Sequence, residues 1–113
     1  MVKENTLLKT PPYPVEKSIR MLGKNLQTAR VRRNLTLQEV ADKIGTTAKR
    51  VSEVEKGKVG ASIAVFVALL WVYDLLPSME NIANPLEDKE GLRLMELKEP
   101  KRVRAKKELD NDF

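Results

Sequence analysis

The segment from Ile44 to Lys58, IGTTAKRVSEVEKGK, concentrates side chains that form hydrogen bonds and ionic contacts. Between Thr46 and Lys58 its branched aliphatic side chains are Val51 and Val54, three residues apart, enough to anchor one side of a helix. Lysine, arginine, serine and glutamate fill the other sides. Such a helix is too charged to lie inside a core, so its polar surface requires an explanation.

The composition excludes the commonest catalytic chemistry. The chain of 113 residues has no cysteine and no histidine, which removes thiolate nucleophiles, the commonest general base and the commonest metal ligand. It also has no glycine-rich phosphate loop and no carboxylates paired for catalysis. We therefore expect no enzyme activity, no metal and no cofactor. The net charge of +5 permits a polyanionic partner without proving one.

A short helix is predicted just before this segment. Thr36 and Glu39 form a capping box, in which the threonine hydroxyl accepts from the Glu39 amide and the carboxylate reaches back to the Thr36 amide. The helix covers about 37–43. Its inward residues are Val40, Ala41 and Ile44.

The charged segment is predicted to form the next helix. Gly45 suits the left-handed position after a helix, and Thr46-Thr47 offers the next N-cap. This third helix extends to Lys56, and Gly57 ends it. Two short helices joined by about three residues around a glycine are typical of the helix-turn-helix motif.

The flanking segments place this motif in one small domain. Helix one is predicted to start near Val15, with Ile19, Leu22, Leu26 and Ala29 on one stripe. Its other face is predicted to be solvated and carries Lys17, Arg20, Lys24, Arg32 and Arg33. Ser62 caps an apolar fourth helix, and Pro77 permits a short fifth helix near 77–83. The predicted divisions are an N-terminal arm at 1–14, a helix-turn-helix domain at 15–84, an extra helix at 85–99 and a disordered charged tail at 100–113.

The run LTLQEVADKIGTTAKRVSEVEKGK resembles the lambda- and 434-type repressors and Cro proteins, the XRE family. The family's small, glycine, aliphatic, acidic and glycine positions correspond to Ala41, Gly45, Val51, Glu55 and Gly57. The resemblance covers about residues 22–76. It implies an all-α, five-helix, lambda-repressor-like domain with flexible N- and C-terminal segments. Its third helix would be the recognition helix, lying in the major groove of DNA.

The resemblance also implies which residues contact bases. By register these are Thr47, Ala48, Lys49 and Glu53. Lys49 can donate to guanine, Ala48 can touch a thymine methyl group, and Glu53 can accept from the amine of cytosine. The alternative for Glu53 is an ion pair with Lys49 or Arg50.

Phosphate contacts and one structural pair follow from the same register. The expected phosphate contacts are Gln38, Thr46, Arg50, Lys56 and Lys58. The family often has glutamine where this chain has Leu37, which puts the contact at the start of helix two in question. Arg30 and Glu55 are implied to join helix one to helix three as an ion pair, the alternative being two unrelated surface charges.

The large side chains could lie in the core, in a ligand pocket or at an interface. Met21, Trp71 and Tyr73 are expected in the core rather than in a ligand pocket. Trp71 and Phe66 are five residues apart and cannot share a helix face, so one of them is expected to face a second subunit. A homodimer would bind a palindromic operator as a transcriptional repressor. The competing class is a pure protein-binding module on the same fold.

A narrower resemblance covers most of the chain after residue 15. The stretches LGKNLQTARVRRNLT, IANPLED, GLRLMELK and PKRVRAKKELDNDF are similar to HipB-like antitoxins, encoded beside HipA-type kinase toxins. It implies repression of the protein's own operon and binding to a HipA-like kinase. The alternative is a phage-type or stand-alone regulator. We see no signal peptide and no apolar run long enough to span a membrane, so we expect a bacterial cytoplasmic, nucleoid-associated protein.

Overall fold

The computed structural model describes residues 7–98, and within this range the regular elements are helices, with no β-strand. The all-α class predicted from the sequence is confirmed. The chain forms two compact units that meet in sequence between Pro77 and Ser78. The predicted tail at 100–113 and the first residues of the predicted arm lie outside the described residues.

The first helix, α1, spans Tyr13–Arg32 and so begins two residues before the predicted start at Val15. Pro12 occupies the N-cap position and Pro14 lies in the first turn, where a missing amide hydrogen costs no helical hydrogen bond. The buried residues of α1 are Gly23, Leu26 and Ala29. Leu22, predicted on the buried stripe, is exposed because Gly23 takes the contact position instead.

The helix-turn-helix motif forms as predicted. Helix α2 spans Leu37–Ile44 and helix α3 spans Ala48–Glu55. The Glu39 amide donates to the Thr36 hydroxyl at 3.0 Å, and the Thr36 amide donates to the Glu39 carboxylate at 2.8 Å. Gly45 ends α2 with a φ of +76°, a left-handed conformation that favours glycine. Together these local interactions define the turn that separates α2 from α3.

Helix α4 spans Ile63–Val72 and closes the core of the first unit. The Ser62 hydroxyl accepts from the Val65 amide at 3.3 Å and caps the helix. The α4 side that packs against α2 and α3 buries Val65, Leu69 and Leu70, and Tyr73 just after it. The rest of the unit's apolar core comprises Leu26, Ala29, Val40, Ala41, Val51 and Val54.

The core prediction for the three large side chains is correct only for Tyr73. Its side chain is buried, whereas Met21 is 52% exposed and Trp71 is 65% exposed. Both exposed residues lie on helix sides that point away from the packed neighbours, a placement that apolar character alone does not determine. Phe66 is partly buried, so Trp71 is the more accessible of the two aromatic residues on α4.

The short fifth helix predicted near 77–83 is present, as a 3₁₀ helix rather than an α-helix. Leu76–Asn81 forms a 3₁₀ helix, the usual form of such a short helical segment. A second 3₁₀ helix spans Pro85–Glu87, and helix α5 spans Lys89–Lys98. The Gly91 amide donates to the Asp88 carboxylate at 2.9 Å, which caps α5 within the range 85–99 predicted for the extra helix.

Candidate nucleic-acid interface

Helix α3 has one buried side and one exposed polar side. Val51 is fully buried, and Val54 and Glu55 are also buried. Lys49 and Arg50, near the start of the helix, are exposed. Because burying two valines supplies most of the apolar anchoring of α3, the other residues are free to remain polar. The helix is thereby held to the domain while it presents cations to solvent.

An ion pair joins α3 to α1. The Nε of Arg30 donates to one Glu55 carboxylate oxygen at 2.7 Å, and its Nη2 donates to the other at 3.1 Å. The Nη1 of Arg30 also donates to the Leu35 carbonyl oxygen at 2.8 Å. Hydrogen bonding to Glu55 raises the pKa of Arg30 above its ordinary value. The pair is a bidentate, mostly buried link that holds the end of α3 in place.

A second contact between the same helices lies two turns earlier on α1. A Cβ atom placed on Gly23 would overlap the carbonyl oxygens of Val54 and Glu55. Only glycine therefore permits the two backbones to approach this closely. Gly23 and Arg30 together set the position of α3 relative to α1.

The cations expected to contact DNA lie on the surface of the domain. Four of them are exposed and form no salt bridge within residues 7–98: Lys49, Arg50, Lys56 and Lys58. Glu53 is partly buried and is not paired with Lys49 or Arg50, so the structure does not form the alternative ion pair. Unpaired exposed cations can bind phosphate without first breaking an ion pair.

The remaining predicted base contacts lie at the start of α3. The Thr47 hydroxyl accepts from the Arg50 amide at 3.2 Å and caps the helix, which leaves its own hydrogen available to donate. Ala48, the first residue of α3, is partly buried. Thr47, Ala48, Lys49 and Glu53 therefore occupy the start of the helix and one position a turn later.

The predicted phosphate contacts Gln38 and Thr46 each form one hydrogen bond within the domain. The amide nitrogen of Gln38 donates to Asp42 at 2.8 Å, one turn further along the helix. The Thr46 backbone amide donates to the Ala41 carbonyl oxygen at 2.9 Å. Gln38 keeps a second N–H and Thr46 keeps its hydroxyl, so each retains a donor, but Asp42 places a negative charge beside Gln38.

Arg33 has a structural function that its place on the predicted solvated face of α1 did not indicate. It donates to the carbonyl oxygens of Ala29 and Tyr73, each at 2.9 Å. Its guanidinium carbon also lies 5.3 Å from the centre of the Tyr73 ring. The signal available in the sequence was a basic residue at the end of a helix, where carbonyl groups lack partners.

Tyr73 places a polar atom inside the core next to this interface. Its hydroxyl is buried and has no hydrogen-bond partner within the described part of the chain. Burial, assisted by the negative charge of Glu55, raises the pKa of Tyr73 to about 12. The phenol is therefore neutral at physiological pH.

Two other kinds of site are absent from residues 7–98. Among the described residues, no group of three or more acidic, histidine or cysteine side chains is arranged to hold a metal ion. No helix in this range is long and apolar enough to cross a membrane.

The capped turn, the buried side of α3 and its unpaired cations define a helix-turn-helix DNA-binding domain. The family described as "Helix-turn-helix domain" matches residues 21–80, more than half of the chain. The chain belongs to this family, which places it among DNA-binding regulators. Searches of curated proteins and of solved structures gave no significant match.

Proposed function

We propose that the protein is a sequence-specific transcriptional repressor that binds a palindromic operator as a homodimer. The observation that carries this proposal is the division of α3 between a buried side at Val51 and Val54 and an exposed side at Lys49 and Arg50. A helix held in this way can enter the major groove without loss of its own packing.

Base recognition is assigned to the first turns of α3. Lys49 donates to a guanine, Thr47 donates through its hydroxyl, and Ala48 contacts a thymine methyl group. Glu53 accepts from a cytosine amine one turn later. The absence of an ion pair at Glu53 within the described residues supports this assignment, because its carboxylate remains available.

Backbone contacts are assigned to cations in and just after α3, to Gln38 in α2 and to Thr46 in the turn between the two helices. Arg50, Lys56 and Lys58 hold phosphates through charge, while Gln38 and Thr46 donate hydrogen bonds. Such contacts orient the domain on the duplex and carry no sequence information by themselves.

Dimerisation is supported by the outward side of α4. Ile63 is 73% exposed and Trp71 is 65% exposed, so α4 presents apolar surface that packing within one chain does not cover. One short recognition helix also contacts too few base pairs for useful specificity. A two-fold pair doubles the site and separates its halves by about one turn of DNA.

The finer assignment is an antitoxin that represses its own operon and binds a HipA-type kinase. It is supported by the resemblance of several stretches, from LGKNLQTARVRRNLT to PKRVRAKKELDNDF, to HipB-like proteins. A kinase-like reading frame beside the gene, and a complex between the two purified proteins, are the expected findings. Their absence would favour a stand-alone regulator of the same family.

The deciding experiment compares DNA preference in the intact protein. Genomic fragments selected by the protein should contain a palindrome that competes far better than a random duplex at physiological salt. Sedimentation should show a dimer at micromolar concentration and one dimer per site. Equal binding of random and palindromic duplexes would instead favour the protein-binding module. A monomer bound once per site would contradict the proposed homodimer.

A further inference from the structure

The side of α1 that holds α3 continues past the end of α3. Gly23 and Arg30 make the contacts to α3. Glu16 and Arg20 precede Gly23 by seven and three residues, so they lie on the same side of the helix. This side of α1 therefore carries a cation close to where α3 gives way to the following loop.

The backbone of Arg20 touches that loop. A Cβ atom placed on Gly57 would lie 2.7 Å from the Cα of Arg20, and Gly57 has a φ of +70°. Both the positive φ of Gly57 and the closeness of the Arg20 backbone therefore require glycine at this position. Because Lys56 and Lys58 flank Gly57, the contact brings α1 next to two of the predicted phosphate-binding cations.

The Arg20 side chain is accessible and only weakly restrained. Its side chain is 60% exposed, and its Nη2 lies 2.5 Å from a carboxylate oxygen of Glu16, itself 43% exposed. An exposed ion pair of this kind contributes little to stability, so Arg20 can exchange Glu16 for another anion at small cost. A phosphate diester supplies such an anion and suits the guanidinium geometry.

We infer that Arg20 binds DNA phosphate together with Lys56 and Lys58, and that Glu16 restrains it in the free protein. This three-cation group, Arg20, Lys56 and Lys58, is the loop patch. The inference rests on the proposed function of α3, whose end it adjoins. Arg20 and Glu16 precede the matched region 21–80, so the helix-turn-helix match does not include them.

The test measures affinity for the selected operator and for a random duplex over a range of salt concentrations. Arg20→Ala should weaken both complexes about three- to tenfold and lower the slope of log affinity against log salt by about 0.9. Arg20→Lys should retain the slope, since it keeps the charge. Glu16→Gln should strengthen both complexes, because Arg20 no longer has a competing carboxylate.

A matched control lies in the second unit. Arg93 pairs with Glu90 at 2.6 Å, and more than half of each side chain's surface is exposed. Arg93→Ala removes an equivalent surface ion pair and one positive charge, so any loss it causes measures the effect of net charge alone. It should leave the affinity close to that of the unchanged protein.

Three outcomes would overturn the inference. If Arg20→Ala behaves like Arg93→Ala while Lys56→Ala weakens binding, Arg20 is not a phosphate contact and the proposed function stands. If Arg20→Ala fails to fold, an unchanged affinity in Glu16→Gln decides against the loop patch. If the unchanged protein binds neither duplex at low salt, the proposed function fails and the inference fails with it.

Discussion

Helices α3 and α4 differ in composition and in how they are attached to the domain. Helix α3, Ala48–Glu55, is charged and is held by two valines and one ion pair. Helix α4, Ile63–Val72, consists entirely of apolar residues and is held by an extensive buried side. The surface that each leaves exposed therefore differs: α3 presents exposed cations, and α4 presents Ile63 and Trp71. A charged exposed side suits a polyanion, whereas an apolar one suits another protein surface.

The ion pair that holds α3 should give the largest effect. Arg30→Ala leaves the buried Glu55 carboxylate without its partner, so the free energy of unfolding should fall by about 3–5 kcal/mol. Urea denaturation measures the change. The double variant Arg30→Met with Glu55→Leu should regain much of the stability, because neither charge is then buried. A loss below about 1 kcal/mol in Arg30→Ala would show that the valines alone hold α3.

The two sides of α4 should respond differently to truncation. Leu69 is fully buried, so Leu69→Ala should lower the free energy of unfolding by about 2–5 kcal/mol. Trp71→Ala should change the stability of the monomer by no more than about 0.5 kcal/mol, yet weaken the dimer. Urea denaturation and sedimentation measure the two effects. A Trp71→Ala protein that remains as dimeric as the unchanged protein would place the dimer contact elsewhere.

The exposed side of α3 should divide into base and backbone contacts. Lys49→Ala should cost about 1–3 kcal/mol on the operator and relax the preference at one base pair. Lys56→Ala should weaken all sequences alike and lower the salt slope by about one unit. Competition assays with single base-pair substitutions distinguish them. Uniform loss in both variants would refute the assignment of Lys49 to a base.

The smallest effect is expected at Tyr73, where the buried end of α4 meets the α1–α3 ion pair. Its pKa is raised to about 12 in the folded protein, against about 10 when unfolded. The neutral phenol therefore favours folding below about pH 10, and this contribution is lost as the pH rises towards 12. Tyr73→Phe should change stability at pH 7 by about 1 kcal/mol or less and reduce the alkaline loss.

Tyr13 offers the control for that measurement. This residue is 66% exposed, so Tyr13→Phe removes a hydroxyl from the surface rather than from the core. Stability against pH, followed by denaturation from pH 7 to 11, separates the two variants. An alkaline loss of the same size in Tyr73→Phe and in the unchanged protein would mean that other groups cause it.

Local interactions account for what the sequence predicted well. The capping box of Thr36 and Glu39, the left-handed Gly45 and the cap at Thr47 each involve residues within a few positions of one another. Their geometry depends on the backbone nearby, so residue type and spacing suffice to predict them. The helix-turn-helix motif follows from these interactions. The start of α5 likewise depends on a local hydrogen bond, from the Gly91 amide to Asp88.

Predictions of which helix side is buried were less accurate. Spacing predicted that Leu22 lies on the packed stripe of α1, but α3 packs closely against Gly23 instead. Apolar character placed Met21 and Trp71 in the core with Tyr73, and only Tyr73 is there. On helices with apolar residues on several sides, the pattern does not state which side meets a neighbour.

The sequence by itself determined the helices, their caps, the turn between α2 and α3 and the cations on the exposed side of α3. The tertiary structure decided which side of each helix is buried, and which distant residues meet. It brought Arg33 onto Tyr73, forty residues away, and Arg20 against Gly57. The physical reason is range: caps and turns depend on neighbouring residues, whereas these contacts depend on how whole helices pack.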